Sequence, residues 1–180
     1  MDAVFFDRDG VLNYDEGYTH KFKTDLLYDD SLKFLCSLSR RKIKIFILTN
    51  QSGIALNYFE KIDLEDFMKK MIKYYRKHGI HILNYYYCPH YPSVNENNTY
   101  CRDCFCRKPR PMNFKKCLIK YRLRPENCVM IGDRDSDIKP AKALGFKKLV
   151  KIDRQSNLHP SQTGNLIQLS KMTDLSYLLW

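Results

Sequence analysis

No stretch of this 180-residue chain approaches the ~20 consecutive apolar residues of a membrane span. Its N-terminus, Asp2 and then a short apolar run, lacks the basic flank of a secretory signal. A soluble, cytoplasmic protein is expected. Internal repeats, low-complexity segments and basic arms are also missing, which speaks against solenoid arrays and tail-mediated nucleic-acid binding. The length suits one domain over residues 1–180, expected to work as a monomer.

Lysine and arginine exceed aspartate and glutamate by 31 to 20, a formal charge of +11. Such a balance favours anionic partners. Many lysines, as in "FMKKMIKYYRKHG", recur at helical spacing as a solvated face, so a small phosphorylated metabolite is expected rather than nucleic acid or a membrane. Seven cysteines without a signal peptide argue for metal binding or buried thiols over disulfides. Cys88, Cys101, Cys104 and Cys106 crowd together, whereas Cys36, Cys117 and Cys128 have apolar surroundings and read as core thiols.

Runs rich in β-branched and aromatic residues predict strands at Asp2–Asp7, Ile43–Thr49, Ile80–Cys88, Cys128–Gly132 and Lys147–Ile152. Amphipathic segments predict helices at Ser31–Arg41, Ile62–His78, Pro111–Tyr121 and Ser136–Leu144, the last carrying a kink-prone Pro140. Gly79 and Gly145 stand where C-caps are expected. This alternation implies an α/β fold, a Rossmann-like parallel sheet with helices on both faces. Pro89–Arg110 is a long irregular insert. The aromatic run Tyr85–Tyr87 reads as the half-buried end of a strand.

Ligands of such sheets bind beyond the carboxyl ends of the strands, near the point where strand order reverses. Three predicted strand ends are polar: "DRDG", "TNQSG" and "GDRDSD". Together they bring Asp7, Asp9, Asp133 and Asp137 to one rim, too many carboxylates to stand bare. Oxygen ligands of this kind suit Mg²⁺. Thr49, Asn50 and the amides near Gly53 offer neutral donors for phosphate oxygens, and Lys108 offers a positive charge. A metal, an anion cradle and paired carboxylates imply phosphoryl transfer by covalent catalysis, one aspartate attacking phosphorus and the other moving the proton. The two-residue spacing of Asp7 and Asp9 would point both to one side of an extended backbone.

The stretch "CPHYPSVNENNTYCRDCFCRKP" pairs Cys88 with His90 and Cys104 with Cys106 across a loop, a set able to close a tetrahedron around Zn²⁺. Cys101 is a fifth candidate. A filled Cys₃His site is closed, hence structural, and would position Arg107 and Lys108.

Taken together, "FFDRDGVLN", "DEGYTH", "LTNQSGIA", "CPHYP", "CFCRKPRP" and "IGDRDSDI" resemble the haloacid dehalogenase superfamily, specifically its zinc-loop phosphatases, over Asp2 to about Val150. The group includes heptose bisphosphate phosphatases and histidinol-phosphate phosphatases, with a small zinc-binding loop, here about residues 88–110, in place of a large cap domain. The resemblance implies Asp7 as nucleophile and Asp9 as general acid/base. It implies Mg²⁺ on the Asp7 carboxylate, the Asp9 carbonyl and Asp133. Thr49 and Lys108 would hold the transferring phosphoryl group. Asp15, Glu16, Gly17, Tyr18, Asn50, Gln51, Ser52, Arg107 and Arg134 would contact substrate, and Cys88, His90, Cys104 and Cys106 would bind zinc. Two departures stand out: Leu56 and Asn57 replace the usual Arg-Gly after "TNQSGIA", and "RPMN" lacks the usual glycine. The long zinc loop and "DEGYTH" favour a heptose bisphosphate cleaved at its 7-phosphate. "LVKIDRQSNLHP" reads more like the histidinol-phosphate enzymes, the main alternative, with a nucleic-acid 3′-phosphatase as a second. A non-catalytic binding module is disfavoured because Asp7, Asp9, Thr49, Lys108 and Asp133 are all present.

Overall fold

The computed structural model describes residues 1–92, 98–156 and 159–175. Positions 93–97 of the zinc loop, 157–158 of the "LVKIDRQSNLHP" segment and 176–180 of the expected domain lie outside these described residues. One seven-stranded sheet organises the chain: β1 (Ala3–Phe6), β2 (Lys44–Asn50), β3 (Ile82–Cys88), β4 (Cys128–Gly132), β5 (Lys148–Ile152), β6 (Ser161–Thr163) and β7 (Leu166–Leu169). The order across the sheet is β3-β2-β1-β4-β5-β7-β6. All pairings are parallel except β6 with β7. The five strands read from sequence are therefore present, while the edge pair β6 and β7 was not expected. Ser161–Thr163 is fully exposed, so no apolar alternation marks it.

Four helices cover the sheet: α1 (Asp29–Arg40), α2 (Lys61–Lys77), α3 (Met112–Lys120) and α4 (Asp135–Ala143). Strand residues alternate between two cores. Val4, Phe6, Ile45 and Ile47 meet Leu35 and Leu38 of α1 and Phe67, Met68 and Met71 of α2. Ala3, Phe5, Phe46 and Leu48 meet Phe114 and Cys117 of α3 and Ile138 and Ala141 of α4. A strand buried on both faces must be continuously apolar, as "AVFF" and "CVMIG" are. Each fully buried large apolar side chain contributes about 1.5–3 kcal/mol. Gly79 and Gly145 take positive φ just past α2 and α4, as expected of C-caps. Helix α4 runs through Pro140 without interruption.

Cys117 and Cys128 are fully buried, but Cys36 is only half-buried. It packs against the edge of the core formed with α1 and α2, and its thiol reaches the His78 carbonyl at 3.5 Å. Tyr85–Tyr87 is half-buried on β3 as expected. Among the described residues, no helix is long and apolar enough to cross a membrane.

Because β1 connects to β2 on one side while β4 lies on its other side, the order reverses between β1 and β4. The residues following these two strands, Asp7 and Asp133, stand beside each other at the switch point.

Candidate active site

The Asp7 amide donates to the Ile131 carbonyl at 2.9 Å, continuing the β1–β4 ladder one residue past the strand. The chain then turns tightly: the Arg8 carbonyl accepts from the amides of Val11, Leu12 and Asn13 at 3.3, 2.8 and 3.2 Å. Asp7 and Asp9 do face one cavity. The reason differs from the one expected, however, because Asp9 lies in this turn and not in extended backbone.

Lys108 closes the site from the far end of the cysteine-rich loop. Its Nζ lies 2.9 Å from Asp7 Oδ1 and 2.5 Å from Asp137 Oδ1, and donates to the Leu48 carbonyl at 2.7 Å. Its backbone is clamped by Asn50, whose Nδ2 donates to the Lys108 carbonyl while its Oδ1 accepts from the Lys108 amide, both at 3.0 Å. Burial works against the ammonium, but Asp137 and Asp7 outweigh it and hold Lys108 above its ordinary pKa. One ammonium does not balance the carboxylates around it. Burial, reinforced by Asp137, Asp133 and Asp9 against the opposing pull of Lys108, pushes Asp7 up to about 7. Burial and Asp137 push Asp133 up to about 6.

Asp7, Asp133 and Asp137 each offer an oxygen within 4.8 Å of the others, and Asp133 Oδ1 is buried without a hydrogen-bond partner. Two glycines permit this crowding. A Cβ on Gly132 would fall 2.3 Å from Asp137 Cβ, and one on Gly10, at φ +74°, would fall 2.7 Å from Asp133 Oδ2. An all-oxygen donor set with excess negative charge and an unpartnered buried oxygen fits a hard divalent cation such as Mg²⁺.

Asp9 is held from three sides. Arg8 Nη2 lies 2.8 Å from each carboxylate oxygen, and Asn13 and Gln51 each donate an amide to it, at 2.9 and 2.8 Å. Gln51 Nε2 also donates to Thr49 Oγ1 at 2.9 Å, so Gln51, nearly buried in the cavity wall, backs onto the buried Thr49. Sequence reasoning passed over Arg8 and Asn13. An arginine between two aspartates just past a strand, in step with the Val4 and Phe6 side chains that face α1 and α2, is the signal that points to Arg8.

The cavity measures about 550 Å³ and is lined by Asp7, Asp9, Asp15, Gly17, Tyr18, Asn50, Gln51, Ser52, Arg107, Lys108 and Arg134, with Gly53, Tyr91 and Ser136 in addition. Glu16 and Thr49 are not on its wall; the Glu16 amide donates to Thr19 Oγ1 at 3.1 Å. Asp133 lines an adjoining groove that shares Asp15 and Arg134 with the cavity. Arg134 Nη2 lies 3.2 Å from Asp15 Oδ2. Arg107 donates to the His90 carbonyl at 3.1 Å and stands 5.0 Å above the Tyr91 ring.

The loop that delivers Arg107 and Lys108 is tied by a second cluster. Cys88 Sγ lies 3.5 Å from Cys104 Sγ and 3.2 Å from Cys106 Sγ, and Cys104 and Cys106 are 3.5 Å apart. His90 Nδ1 is 3.6 Å from Cys88 Sγ and 3.4 Å from Cys106 Sγ. These separations are close to the edges of a tetrahedron with ~2.0–2.3 Å metal bonds, and the three-sulfur, one-nitrogen set suits Zn²⁺. Cys101 does not belong to the cluster: its thiol donates to the Ala55 carbonyl at 3.0 Å. Burial pushes the Cys88 and Cys106 thiols up. Asn57 takes φ +59° and accepts from Asn98 Nδ2 at 2.7 Å; asparagine tolerates this left-handed conformation.

The sheet is doubly wound, and at its switch point stands a cluster of carboxylates able to hold a cation, closed by a lysine; an α/β enzyme that places its ligand at this point is the class such a fold defines. The haloacid dehalogenase-like hydrolase family profile matches residues 13–145, and the chain belongs to that family. It is 31% identical over 179 residues to a D-glycero-beta-D-manno-heptose-1,7-bisphosphate 7-phosphatase of Pasteurella multocida, covering 98% of this chain and 96% of the relative. It is 32% identical over 188 residues to a D-glycero-alpha-D-manno-heptose-1,7-bisphosphate 7-phosphatase of Photorhabdus laumondii, covering 96% of each. Its fold matches the crystal structure of a D,D-heptose 1,7-bisphosphate phosphatase from B. bronchiseptica, complexed with magnesium and phosphate, with a TM-score of 0.80 at 23% identity, over 99% of this chain and 98% of that one.

Proposed function

We propose that the chain is one Mg²⁺-dependent catalytic unit that hydrolyses a small phosphate monoester through an aspartyl-phosphate on Asp7, with D-glycero-D-manno-heptose 1,7-bisphosphate, cleaved at its 7-phosphate, as substrate. One observation carries the reading: Lys108 Nζ bridges Asp7 and Asp137 beside the unpartnered Asp133 oxygen, at a cavity of about 550 Å³. That volume lies within the roughly 300–1,000 Å³ of small-molecule sites.

In this reading Asp7 Oδ attacks phosphorus, the ester P–O bond breaks, and Asp9 gives its proton to the departing oxygen. Asp9 then takes a proton from water as that water attacks the phosphorylated Asp7, releasing inorganic phosphate. Lys108 and the amides after Thr49 steady the phosphoryl oxygens. Mg²⁺, held by the Asp7 and Asp133 carboxylates and the Asp9 carbonyl, would neutralise charge that gathers on the phosphoryl group. The Cys88, His90, Cys104 and Cys106 cluster would hold a structural Zn²⁺ that fixes the loop leading to Lys108.

Support for the heptose substrate comes from the named relatives and from Arg107 and Arg134, whose two guanidinium groups line the cavity besides Lys108 and suit a second phosphate. They would disfavour histidinol phosphate, which carries an amine. Relatives of both anomeric names match at similar identity, so both anomers belong in the test. Phosphate release is measured with the two heptose bisphosphates, histidinol phosphate and a 3′-phosphorylated oligonucleotide. A kcat/KM highest on a heptose bisphosphate supports the reading. Preference for histidinol phosphate, or for the oligonucleotide with a steep loss on adding salt, overturns the substrate assignment.

A further inference from the structure

The carboxylate assigned to proton transfer is gripped by three side chains, those of Arg8, Asn13 and Gln51. Arg8 has no solvent exposure and its guanidinium lies 4.4 Å over the Phe67 ring of α2. It contacts Asp9 Oδ1 through Nε at 3.0 Å and Nη2 at 2.8 Å, and Asp9 Oδ2 through Nη2 at 2.8 Å. Nη2 also donates to the Thr19 carbonyl at 2.7 Å. Enclosing a guanidinium this way is costly unless its partner stays in place, and the planar fork fixes that partner in both position and orientation.

Of the three side chains that hold Asp9, Gln51 lines the cavity, whereas Arg8 and Asn13 do not. Gln51 Nε2 divides its contacts between Asp9 Oδ2 and Thr49 Oγ1. An ester oxygen arriving at Asp9 can therefore displace it while the amide keeps a partner.

We propose that Arg8 and Gln51 are positioning residues for proton transfer: Arg8 anchors the Asp9 carboxyl from the buried side, and Gln51 aims the cavity-side oxygen at the leaving group. This rests on the reading of Asp9 as general acid/base. In the step concerned, the O–H bond of the Asp9 carboxyl breaks as the ester P–O bond breaks. The proton passes to the departing oxygen, which leaves as an alcohol, while Asp7 retains the phosphoryl group.

A positioning role has a signature that a structural role lacks. An ester whose leaving group departs readily as an anion needs little help from an acid; one that would leave as an alkoxide needs it fully. General acid catalysis is worth about 10²–10⁴-fold. The experiment compares kcat/KM for p-nitrophenyl phosphate and benzyl phosphate, similar in shape and opposite in leaving-group demand, in the Mg²⁺-loaded protein. Arg8→Lys should lower the benzyl ester about 30-fold more than the p-nitrophenyl ester, and Gln51→Ala about fivefold more, whatever loss the two esters share. Asp9→Asn serves as the reference and should show the same asymmetry in stronger form.

Melting temperatures accompany the kinetics, and if Arg8→Lys does not fold, Gln51→Ala decides alone. Equal losses on both esters, or none on either, in folded variants whose Asp9→Asn reference is asymmetric would overturn the positioning roles while leaving Asp9 in place. A symmetric loss in Asp9→Asn would instead remove the acid reading itself.

Discussion

Lys108 Nζ stands 2.9 Å from Asp7 Oδ1, so a residue two past the cysteine cluster closes on the residue after the first strand. The contact couples two parts of the chain that share no local structure, and it makes the loop a component of the candidate site. Replacing Asp7 with asparagine should abolish phosphate release from p-nitrophenyl phosphate, since the amide cannot attack. Lys108→Met should lower kcat by about 10²–10³, the usual cost of one preorganised charge at a developing anion. Undiminished turnover in Asp7→Asn would remove that residue from the nucleophile's role.

The crowding of carboxylates sets a pH dependence. Asp7 and Asp133 are pushed up to about 7 and about 6, above the ~3.9 of an unfolded aspartate. Between about pH 4 and pH 7 the folded chain therefore holds protons that the unfolded chain has released, and this contribution to stability is lost as pH rises through that window. Without Mg²⁺, melting temperature should carry a downward contribution over that range. Saturating Mg²⁺ should raise it more at pH 7.5 than at pH 5, because ligation needs the deprotonated forms. Thermal melts at the two pH values check this, and equal Mg²⁺ shifts would count against a cation at these carboxylates.

The thiol cluster predicts about one zinc per chain by metal analysis. Cys106→Ser should lose the metal, cost about 3 kcal/mol and lower the melting temperature by about 10 °C. Activity should fall with it, because the loop delivers Lys108. Cys101→Ser should keep full zinc content, since that thiol bonds to the Ala55 carbonyl. Loss of zinc in Cys101→Ser, or none bound in the parent protein, would contradict the assignment.

Gly132→Ala places a methyl 2.3 Å from Asp137 Cβ, a contact that the buried, Lys108-paired carboxylate cannot relieve by turning to solvent. The variant should fold with a reduced melting temperature and lose about 100-fold in kcat, because a displacement near 1 Å at a catalytic group costs that much. Wild-type turnover would mean that Asp137 can move without disturbing Lys108.

What the sequence determined by itself was whatever depends on local pattern. Continuous apolar runs such as "AVFF" and "CVMIG" are demanded of strands buried on both faces, and helical spacing in α2 matches one buried stripe, so element type and the α/β class follow from the chain alone. Acidic and polar residues placed where those runs stop marked the rim. The short strand β6 carried no such pattern, because Ser161–Thr163 is exposed and its pairing comes from its neighbour; β7 places Ile167 and Leu169 in the core, but over four residues only.

Tertiary structure alone decided which side chains meet, because the partners come from distant parts of the chain. It put Thr49 behind the wall, Gln51 in it, and Cys101 on the Ala55 carbonyl. It turned Asn50 onto the backbone of Lys108. It buried Arg8 against Phe67, where its charge is balanced by Asp9. No periodicity in the sequence encodes these contacts, since each depends on the sheet bringing separate strand ends within hydrogen-bond reach.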